Sequence, residues 1–193
     1  MWALIEDNNI TKVLNRPKAL TIGDVQYPAN IFTLWSVEEK EAIGIYELVI
    51  DNTNLKDEKY YINGSETFTF ADGVATKAFG IATAKSLDDT TDDVGTVLGL
   101  KSQHKEVINQ QAAGLLQPTD WYVLRATDGG TAVPENVATY RAAIRTKANE
   151  MCDAIDAVAD VDALAALYEY TNTGTEESPE FTRPLGEWPT LGE

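Results

Sequence analysis

Apolar and polar positions alternate over short segments in the first part of the chain, up to about residue 84. Alternation with a period of two is typical of strands that bury one face, and clusters of Gly, Asn, Asp and Pro separate the segments. We therefore predict a β-rich region whose strands cover residues 2–5, 11–14, 19–21, 45–50, 59–62, 67–70 and 74–81.

Two dipeptides with strong turn preferences, Asn63-Gly64 and Asp72-Gly73, lie among these segments. Such pairs favour two-residue hairpin turns because both positions tolerate a positive φ. Each pair is therefore predicted to join two antiparallel strands. Residues 36–44, which read S-V-E-E-K-E-A-I-G, predict a brief helix with a serine cap at its start and a glycine at its end.

From residue 100 onward the apolar positions recur every three or four residues, which is the period of an amphipathic helix. Residues 100–116 form the first predicted helix. Asp160 is suited to cap a short closing helix. The longest predicted helix covers residues 135–158, begins after Pro134 and carries one apolar stripe at Val137, Tyr140, Ile144, Met151, Ile155 and Val158. The fold class that follows is α+β.

Before the longest helix, Trp121 and Val123 place apolar side chains on one face of a short extended segment. We expect Trp121 to pack against the apolar stripe, because a buried aromatic ring removes a large apolar area from water. Asp128-Gly129-Gly130 then interrupts the chain.

Composition divides the chain into four parts. Residues 1–86 form a predicted β-rich N-terminal domain, and the small acidic residues of 87–98 predict a linker. Residues 99–170 form a helical region. Residues 171–193 predict an extended tail that docks on a surface of this chain or of a partner, through the apolar anchors Phe181, Leu185, Trp188 and Leu191.

The net charge is −16, from 31 acidic and 15 basic residues. An acidic surface repels phosphates, so we expect no nucleic-acid partner. Arg141, Arg145 and Lys147 make one part of the long helix basic. These basic turns are either solvated or in contact with an acidic patch on a neighbouring chain. No apolar run of about 18 residues is present, so we expect that the chain does not insert into a membrane. No secretory signal is present either, so we expect synthesis in a cytoplasm.

Residues with catalytic potential are few. The single histidine, His104, lies in a predicted helix and is expected to be partly exposed, and no nucleophile, metalloprotease or phosphate-binding motif accompanies it. Cys152 is expected to be a small buried thiol. Among enzyme activities, only cleavage of carbohydrates stays open. Such an enzyme needs a pair of carboxylates that face one cleft, and a sequence with many acidic residues does not single out that pair. We expect a non-enzymatic chain with no cofactor.

Four aspartates between Asp88 and Asp93 raise the question of a calcium site. A calcium loop of the EF-hand type needs Gly at its sixth position and Glu at its twelfth. Counted from Asp88, those positions hold Asp93 and Gly99. We therefore expect a flexible acidic segment and no metal site.

A further pattern joins L-L-Q-P-T-D-W, from Leu115 to Trp121, with Y-R-A-A-I-R, from Tyr140 to Arg145. It resembles the C-terminal region of bacteriophage tail assembly chaperone-like and tail-fibre-associated proteins, in which "L-L-x-x-T-D-W" precedes a helix with "Y-R-x-x-L-R". Ile144 takes the place of the last leucine.

The N-terminal part is similar to short phage tail-associated proteins, in which a "W-x-x-E-E-x-x-A-x-G-I-Y" segment precedes a "D-G-x-V/A" hairpin. The second element corresponds to A-D-G-V-A-T, from Ala71 to Thr76. The first element is matched at Trp35, Glu38, Glu39, Ala42, Gly44, Ile45 and Tyr46.

The resemblance implies a phage tail structural protein, such as a tail-fibre, adaptor or baseplate-peripheral subunit, in the virion tail. One alternative is an assembly chaperone that leaves before the particle is complete; another is a host-surface glycan-binding module that uses Trp35, Tyr60 and Tyr61. The implied partners are other phage tail proteins and further copies of this chain, for instance in a trimer. The hypothetical seam for these contacts consists of Trp121, Val137, Tyr140, Arg141, Ile144, Arg145, Met151 and Ile155.

Overall fold

The computed structural model describes residues 1–191 and has the predicted α+β class, with a curled sheet in the N-terminal part and helices in the C-terminal part. The chain divides into two compact units. The first is Met1–Thr83, and the second begins at Ala84. No helix within the described part is long and apolar enough to cross a membrane.

A five-stranded half-barrel forms the centre of the first unit. Its strand order is β2-β1-β5-β8-β7, and all neighbours are antiparallel except β5 and β8. In chain order the elements are β1 (Trp2–Glu6), β2 (Asn9–Leu14), β3 (Leu20–Ile22), β4 (Val25–Tyr27), α1 (Ile31–Leu34), α2 (Val37–Glu41), β5 (Ile45–Asp51), β6 (Tyr61–Ile62), β7 (Glu66–Ala71), β8 (Val74–Phe79) and β9 (Thr83–Ala84). The sequence pattern did not predict β4 or α1.

Both faces of β1 are buried. Leu4 belongs to a cluster with Ile31 and Phe32 of α1, whereas Ala3 lies on the opposite face with Leu48 and Ala75. Successive side chains of a strand point to opposite faces, so one strand supplies two cores. The half-barrel is therefore packed on its inner and outer sides around β1.

The Asp72-Gly73 turn is confirmed, since both residues have positive φ values, 51° and 77°, and join β7 to β8. The hairpin predicted at Asn63-Gly64 is wrong, because β6 is not a strand of the sheet that contains β7. Instead, the Asn63 side chain accepts a hydrogen bond from Lys56 N and donates one to Lys56 O, both at 2.9 Å. A side-chain amide has thus replaced the backbone pairing of a hairpin.

The short helix α2 is capped by Ser36 as predicted, and the structure adds a reciprocal bond to Glu39 that makes the cap a capping box. The backbone N–H of Ser36 donates to the Glu39 carboxylate at 2.8 Å, and the backbone N–H of Glu39 donates to the Ser36 hydroxyl at 3.2 Å. Two otherwise unpaired N–H groups are satisfied by this exchange. Gly44 follows with φ 81°.

The second unit is built around two helices. The first helix spans residues 100–116, as predicted. The longest helix ends at Asp156 rather than at residue 158. The short closing helix is capped by the Asp160 side chain, which accepts a 2.8 Å hydrogen bond from Ala163 N. The elements are β10 (Thr90–Thr91), β11 (Thr96–Val97), α3 (Leu100–Leu116), a 3-10 turn (Gln117–Thr119), α4 (Asp120–Thr127), α5 (Glu135–Asp156), α6 (Val161–Ala166), β12 (Thr171–Asn172) and β13 (Phe181–Thr182).

His104 is buried rather than partly exposed as predicted. Its ring nitrogen Nδ1 lies 2.7 Å from the hydroxyl of Tyr168. A hydrogen-bond partner compensates the burial of a polar ring, which is why a histidine can occupy this core position. His104 therefore contributes to packing between α3 and the segment that follows α6.

The acidic segment predicted as a linker forms a small hairpin in which β10 pairs with β11. The Asp89 carboxylate accepts hydrogen bonds from Gly99 N at 2.7 Å and from the Ser102 hydroxyl at 3.0 Å. Asp89 therefore binds groups at the start of α3, where the helix dipole favours negative charge. Within residues 1–191, no group of three or more His, Cys, Asp or Glu side chains is arranged to hold a metal ion.

The predicted tail is a hairpin, β12 with β13, followed by a segment that docks on its own unit. Leu185 is buried, and its N–H donates to Leu167 O at 3.0 Å. Trp188 donates from Nε1 to the Gln111 side chain at 3.1 Å. The anchors Phe181 and Leu191 are exposed. Gly192 and Glu193, the last residues of the predicted tail, lie outside the described residues.

Candidate interaction surface

The apolar stripe of α5 is core, so the prediction that it forms a contact seam between chains is wrong. Because α3 packs against α5 in the same chain, the stripe is covered. An amphipathic pattern is the same whether its cover comes from the same chain or from a neighbour. The apolar seam residues that the fold buries are Val137, Ile144, Met151 and Ile155, each with at most 3% of its surface exposed.

Tyr140 and Arg141 bind the C-terminal end of α3. The Tyr140 hydroxyl donates to Leu115 O at 3.4 Å, and Arg141 Nη1 donates to Leu116 O at 2.9 Å. The last carbonyls of a helix lack internal partners and carry the negative end of its dipole. A guanidinium is therefore favourable here, although Arg141 is buried.

Arg141 also fixes the start of α4. Its Nη1 donates to the Thr119 hydroxyl at 2.6 Å, and its Nη2 lies 2.8 Å from the Asp120 carboxylate. The Thr-Asp-Trp and Tyr-Arg motifs of the sequence thus meet through one side chain. Arg141 is consequently a structural residue, and its guanidinium is occupied within its own chain.

The other two basic residues of α5 differ from Arg141. Lys147 forms a 3.5 Å ion pair with Glu150 one turn later, whereas the exposed Arg145 has no carboxylate partner among residues 1–191. The hypothesis that these bases meet an acidic patch on a neighbouring chain is therefore wrong for Arg141, and it stays a prediction for Arg145 and Lys147.

The segment around Trp121 is the helix α4 and not an extended strand as predicted. Asp120 in its first turn favours a helix start. Its end is fixed by the Asp128-Gly129-Gly130 interruption: Gly129 has φ 80°, and Gly130 N donates to Arg125 O at 2.9 Å. This bond pattern is a Schellman cap.

Large side chains of α4 face solvent. None of its eight residues is buried, and the exposed fractions of Trp121 and Leu124 are 50% and 70%. The expectation that Trp121 packs against the stripe of α5 is therefore wrong. We define the α4 surface as Trp121, Tyr122, Leu124 and Arg125.

Contacts within the α4 surface hold its side chains in place. The ring centroids of Trp121 and Tyr122 are 3.8 Å apart, and the Arg125 guanidinium lies 4.9 Å and 5.4 Å from the two rings. Cation–π contacts of this kind contribute about 0.5–1 kcal/mol at exposed sites. The aromatic pair and the cation thus form one ordered cluster.

The guanidinium of Arg125 forms no ion pair in the described part of the chain. Its Nη2 donates only weakly, to Ala132 O at 3.4 Å. A shallow depression lined by Leu124, Arg125, Thr127 and Asp128 adjoins it. The site can therefore accept a carboxylate next to an apolar group.

The aromatic residues considered for glycan binding do not form a comparable surface. Tyr60 is buried, and Trp35 is half-buried against Tyr27 with ring centroids 5.8 Å apart. Tyr61 is half-buried. An aromatic platform for a sugar ring requires exposed faces, so this part of the first unit offers little support for that alternative.

Cys152 is half-buried on α5. Burial raises the pKa of its thiol above the ordinary value, and the nearby Lys105 lowers it by a smaller amount. The thiolate, which is the nucleophilic form, is therefore disfavoured. This residue has no feature of a reactive cysteine.

Comparison of the chain with family models, curated proteins and solved structures finds no match. The class that the fold and the site define is an α+β chain of two compact units with an exposed, ordered aromatic and cationic surface on α4.

Proposed function

We propose that the chain is a non-enzymatic structural protein of a bacteriophage tail, a tail-fibre, adaptor or baseplate-peripheral subunit that acts through contacts with other tail proteins. The α4 surface is the single observation that carries the part of this proposal concerning contacts. The resemblance of the sequence motifs to phage tail-associated proteins supports the assignment to a tail. The location that follows is the virion tail, after synthesis in the host cytoplasm.

The composition of the α4 surface supports a role in protein contacts. Trp, Tyr and Arg are the residue types that most often dominate binding energy at protein interfaces. Complete burial of a side chain such as Leu124, which is 70% exposed, contributes about 1.5–3 kcal/mol. A partner that covers Trp121 and Leu124 together therefore gains several such contributions.

Order in the free chain also supports this role. Arg141 binds Asp120 and Thr119 at the start of α4, and the Schellman cap binds its end. A surface that is already ordered loses little conformational entropy when a partner binds. The buried Arg141 network thus prepares α4 for contact without taking part in it.

Mass spectrometry of purified mature particles tests the proposal. We expect the chain to be present, at a copy number that is a multiple of three or six relative to a known ring protein. Absence from particles together with abundance in the infected-cell lysate would instead support an assembly chaperone.

A pair of phage variants connects this test to the α4 surface. Leu124→Asp is expected to lower the amount of the chain in particles, because it places a charge at the centre of the contact. The matched control is Val107→Asp on α3, whose side chain is 49% exposed and lies outside the α4 surface. Equal incorporation of both variants would show that α4 does not hold the chain in the particle.

A further inference from the structure

The hairpin β12–β13 and its loop, residues 171–182, which we call the acidic hairpin, are exposed throughout. Hydrogen bonds nevertheless order it. The Asn172 side chain accepts bonds from Gly174 N and Glu180 N, both at 3.0 Å, and Thr173 N donates to Glu180 O at 2.7 Å. An ordered hairpin with so little burial has its side chains available for contact.

The side chains of the acidic hairpin are of two kinds. Glu176, Glu177 and Glu180 are exposed and form no ion pair within residues 1–191. Phe181 follows them directly and is 61% exposed. Three carboxylates next to an exposed aromatic ring are the chemical complement of a guanidinium next to exposed apolar side chains.

We propose that the α4 surface binds the acidic hairpin of a second copy of this chain. Arg125 would receive a carboxylate of the hairpin, and Phe181 would be covered by Trp121 and Leu124. This inference rests on the proposed function in one respect, since it names the partner for the same α4 surface.

Charge favours this occupant. The chain has a net charge of −16, so two copies repel each other over most of their surface. Arg125 is a cation without an ion pair, and the acidic hairpin holds three anions without ion pairs. When Arg125 of one copy meets a carboxylate of the acidic hairpin of another, the two copies attract each other at that position. The attraction therefore determines which surfaces of the two copies come together.

The geometry of such a contact has a consequence for assembly. When each copy gives its α4 surface to one neighbour and its acidic hairpin to another, the contact is heterologous, and every pair of copies retains one unused surface of each kind. Heterologous contacts generate a closed ring or an open filament. Both forms are compatible with a repeated subunit of a tail.

Light scattering coupled to size exclusion tests the proposal with the full chain at about 1–200 µM, a range that covers weak specific contacts. The two variants are Leu124→Asp, which alters only α4, and Phe181→Asp, which alters only the hairpin. Val107→Asp is the control, and circular dichroism checks that every variant is folded. We expect the wild type and the control to self-associate, and each of the two variants alone to be monomeric.

Mixing the two variants separates this contact from any other. The Leu124→Asp chain retains an intact hairpin and the Phe181→Asp chain retains an intact α4 surface, so an equimolar mixture is expected to form 1:1 pairs. A Phe181→Asp chain that assembles like the wild type, a mixture that stays monomeric, loss of assembly in the control, or a monomeric wild type would each overturn the proposal.

Salt dependence tests the ionic part. Salt screens both the Arg125 contact and the repulsion between two chains of net charge −16, so the wild type is compared with Arg125→Gln at each salt concentration. We expect Arg125→Gln to raise Kd about tenfold at about 0.05 M sodium chloride and much less at about 0.5 M. An effect of Arg125→Gln that does not shrink with salt would overturn the role of Arg125. A wild type that is monomeric in solution but present in virions would refute this inference alone. Self-association of a chain absent from virions would refute the proposed function alone.

Discussion

The guanidinium of Arg141 donates a 2.6 Å hydrogen bond to the hydroxyl of Thr119, and both side chains are buried. The two residues are 22 positions apart in the sequence. Their contact joins the end of α3 to α5 and places the start of α4. A buried cation is tolerated because Asp120, Leu116 O and Thr119 together satisfy it.

Replacing Arg141 should therefore destabilise the second unit. Arg141→Met removes the donor that Leu116 O, Thr119 Oγ1 and the Asp120 carboxylate share, and leaves only the 2.8 Å bond from the Thr119 hydroxyl to Leu116 O. We expect a loss of about 2–4 kcal/mol in the free energy of unfolding. Urea denaturation followed by circular dichroism measures it. Arg145→Met is the matched control, since Arg145 is exposed on the same helix, and its effect should stay within about 0.5 kcal/mol. Equal effects of the two changes would contradict the role assigned to Arg141.

Substitution of Ile144 should affect folding rather than assembly. Ile144 is fully buried, so Ile144→Ala is expected to cost about 2–5 kcal/mol through lost transfer energy and a cavity. The exposed Val107 provides the control, and Val107→Ala should cost much less. Thermal unfolding and light scattering on both variants separate the outcomes. A stable Ile144→Ala chain with a lower oligomeric mass would restore the contact seam that the structure excludes.

The C-terminal segment offers a pair of apolar residues with opposite environments. Leu185 is 2% exposed and Phe181 is 61% exposed. Leu185→Asp places a charge in the core and should lower the free energy of unfolding by several kcal/mol, about 3 or more. Phe181→Asp should change it by less than about 0.5 kcal/mol. Both values come from urea denaturation, and similar losses would mean that the segment does not dock through Leu185.

The thiol of Cys152 should lose its proton at a higher pH in the folded chain than in the unfolded chain. Burial raises the pKa of this group, so the folded chain holds the proton more tightly than the unfolded chain. The resulting contribution to stability is complete below the unfolded pKa, about 8.5, and is lost as pH rises through the folded pKa. The rate of reaction with an aromatic disulfide, measured against pH, should have its midpoint above that of the urea-unfolded chain. Because Lys105 lowers the pKa of this thiol, Lys105→Met should move the midpoint further upward. A midpoint equal to that of the unfolded chain would contradict the prediction.

Local sequence signals were sufficient for several elements. The span of α3, the cap of α2 at Ser36, and the turn at Asp72-Gly73 all depend on residues within a few positions of one another. Short-range hydrogen bonds and backbone preferences decide such features, and the surrounding fold alters them little. The α+β class follows from the same signals, because it requires only the types of the elements.

Elements with an ambiguous pattern were predicted less well. Residues 120–127 carry apolar side chains at four successive positions, so neither a period of 2 nor a period of 3.6 is clear. The hydrogen bonds of Arg141 and the cap at Gly129 support a helix there. Asn63-Gly64 has the composition of a hairpin turn, yet no hairpin forms there. The Asn63 side chain instead bonds to the backbone of Lys56.

By itself, the sequence determined the elements that local chemistry specifies and the presence of an apolar stripe on α5. The tertiary structure alone decided where that stripe lies and which apolar residues remain exposed. Burial depends on the element that packs against a given face: α3 packs against α5, where Ile144 is fully buried, whereas Leu124 of α4 is 70% exposed. A hydrophobic pattern gives the driving force for burial, but the partner in each contact comes from residues distant in the chain.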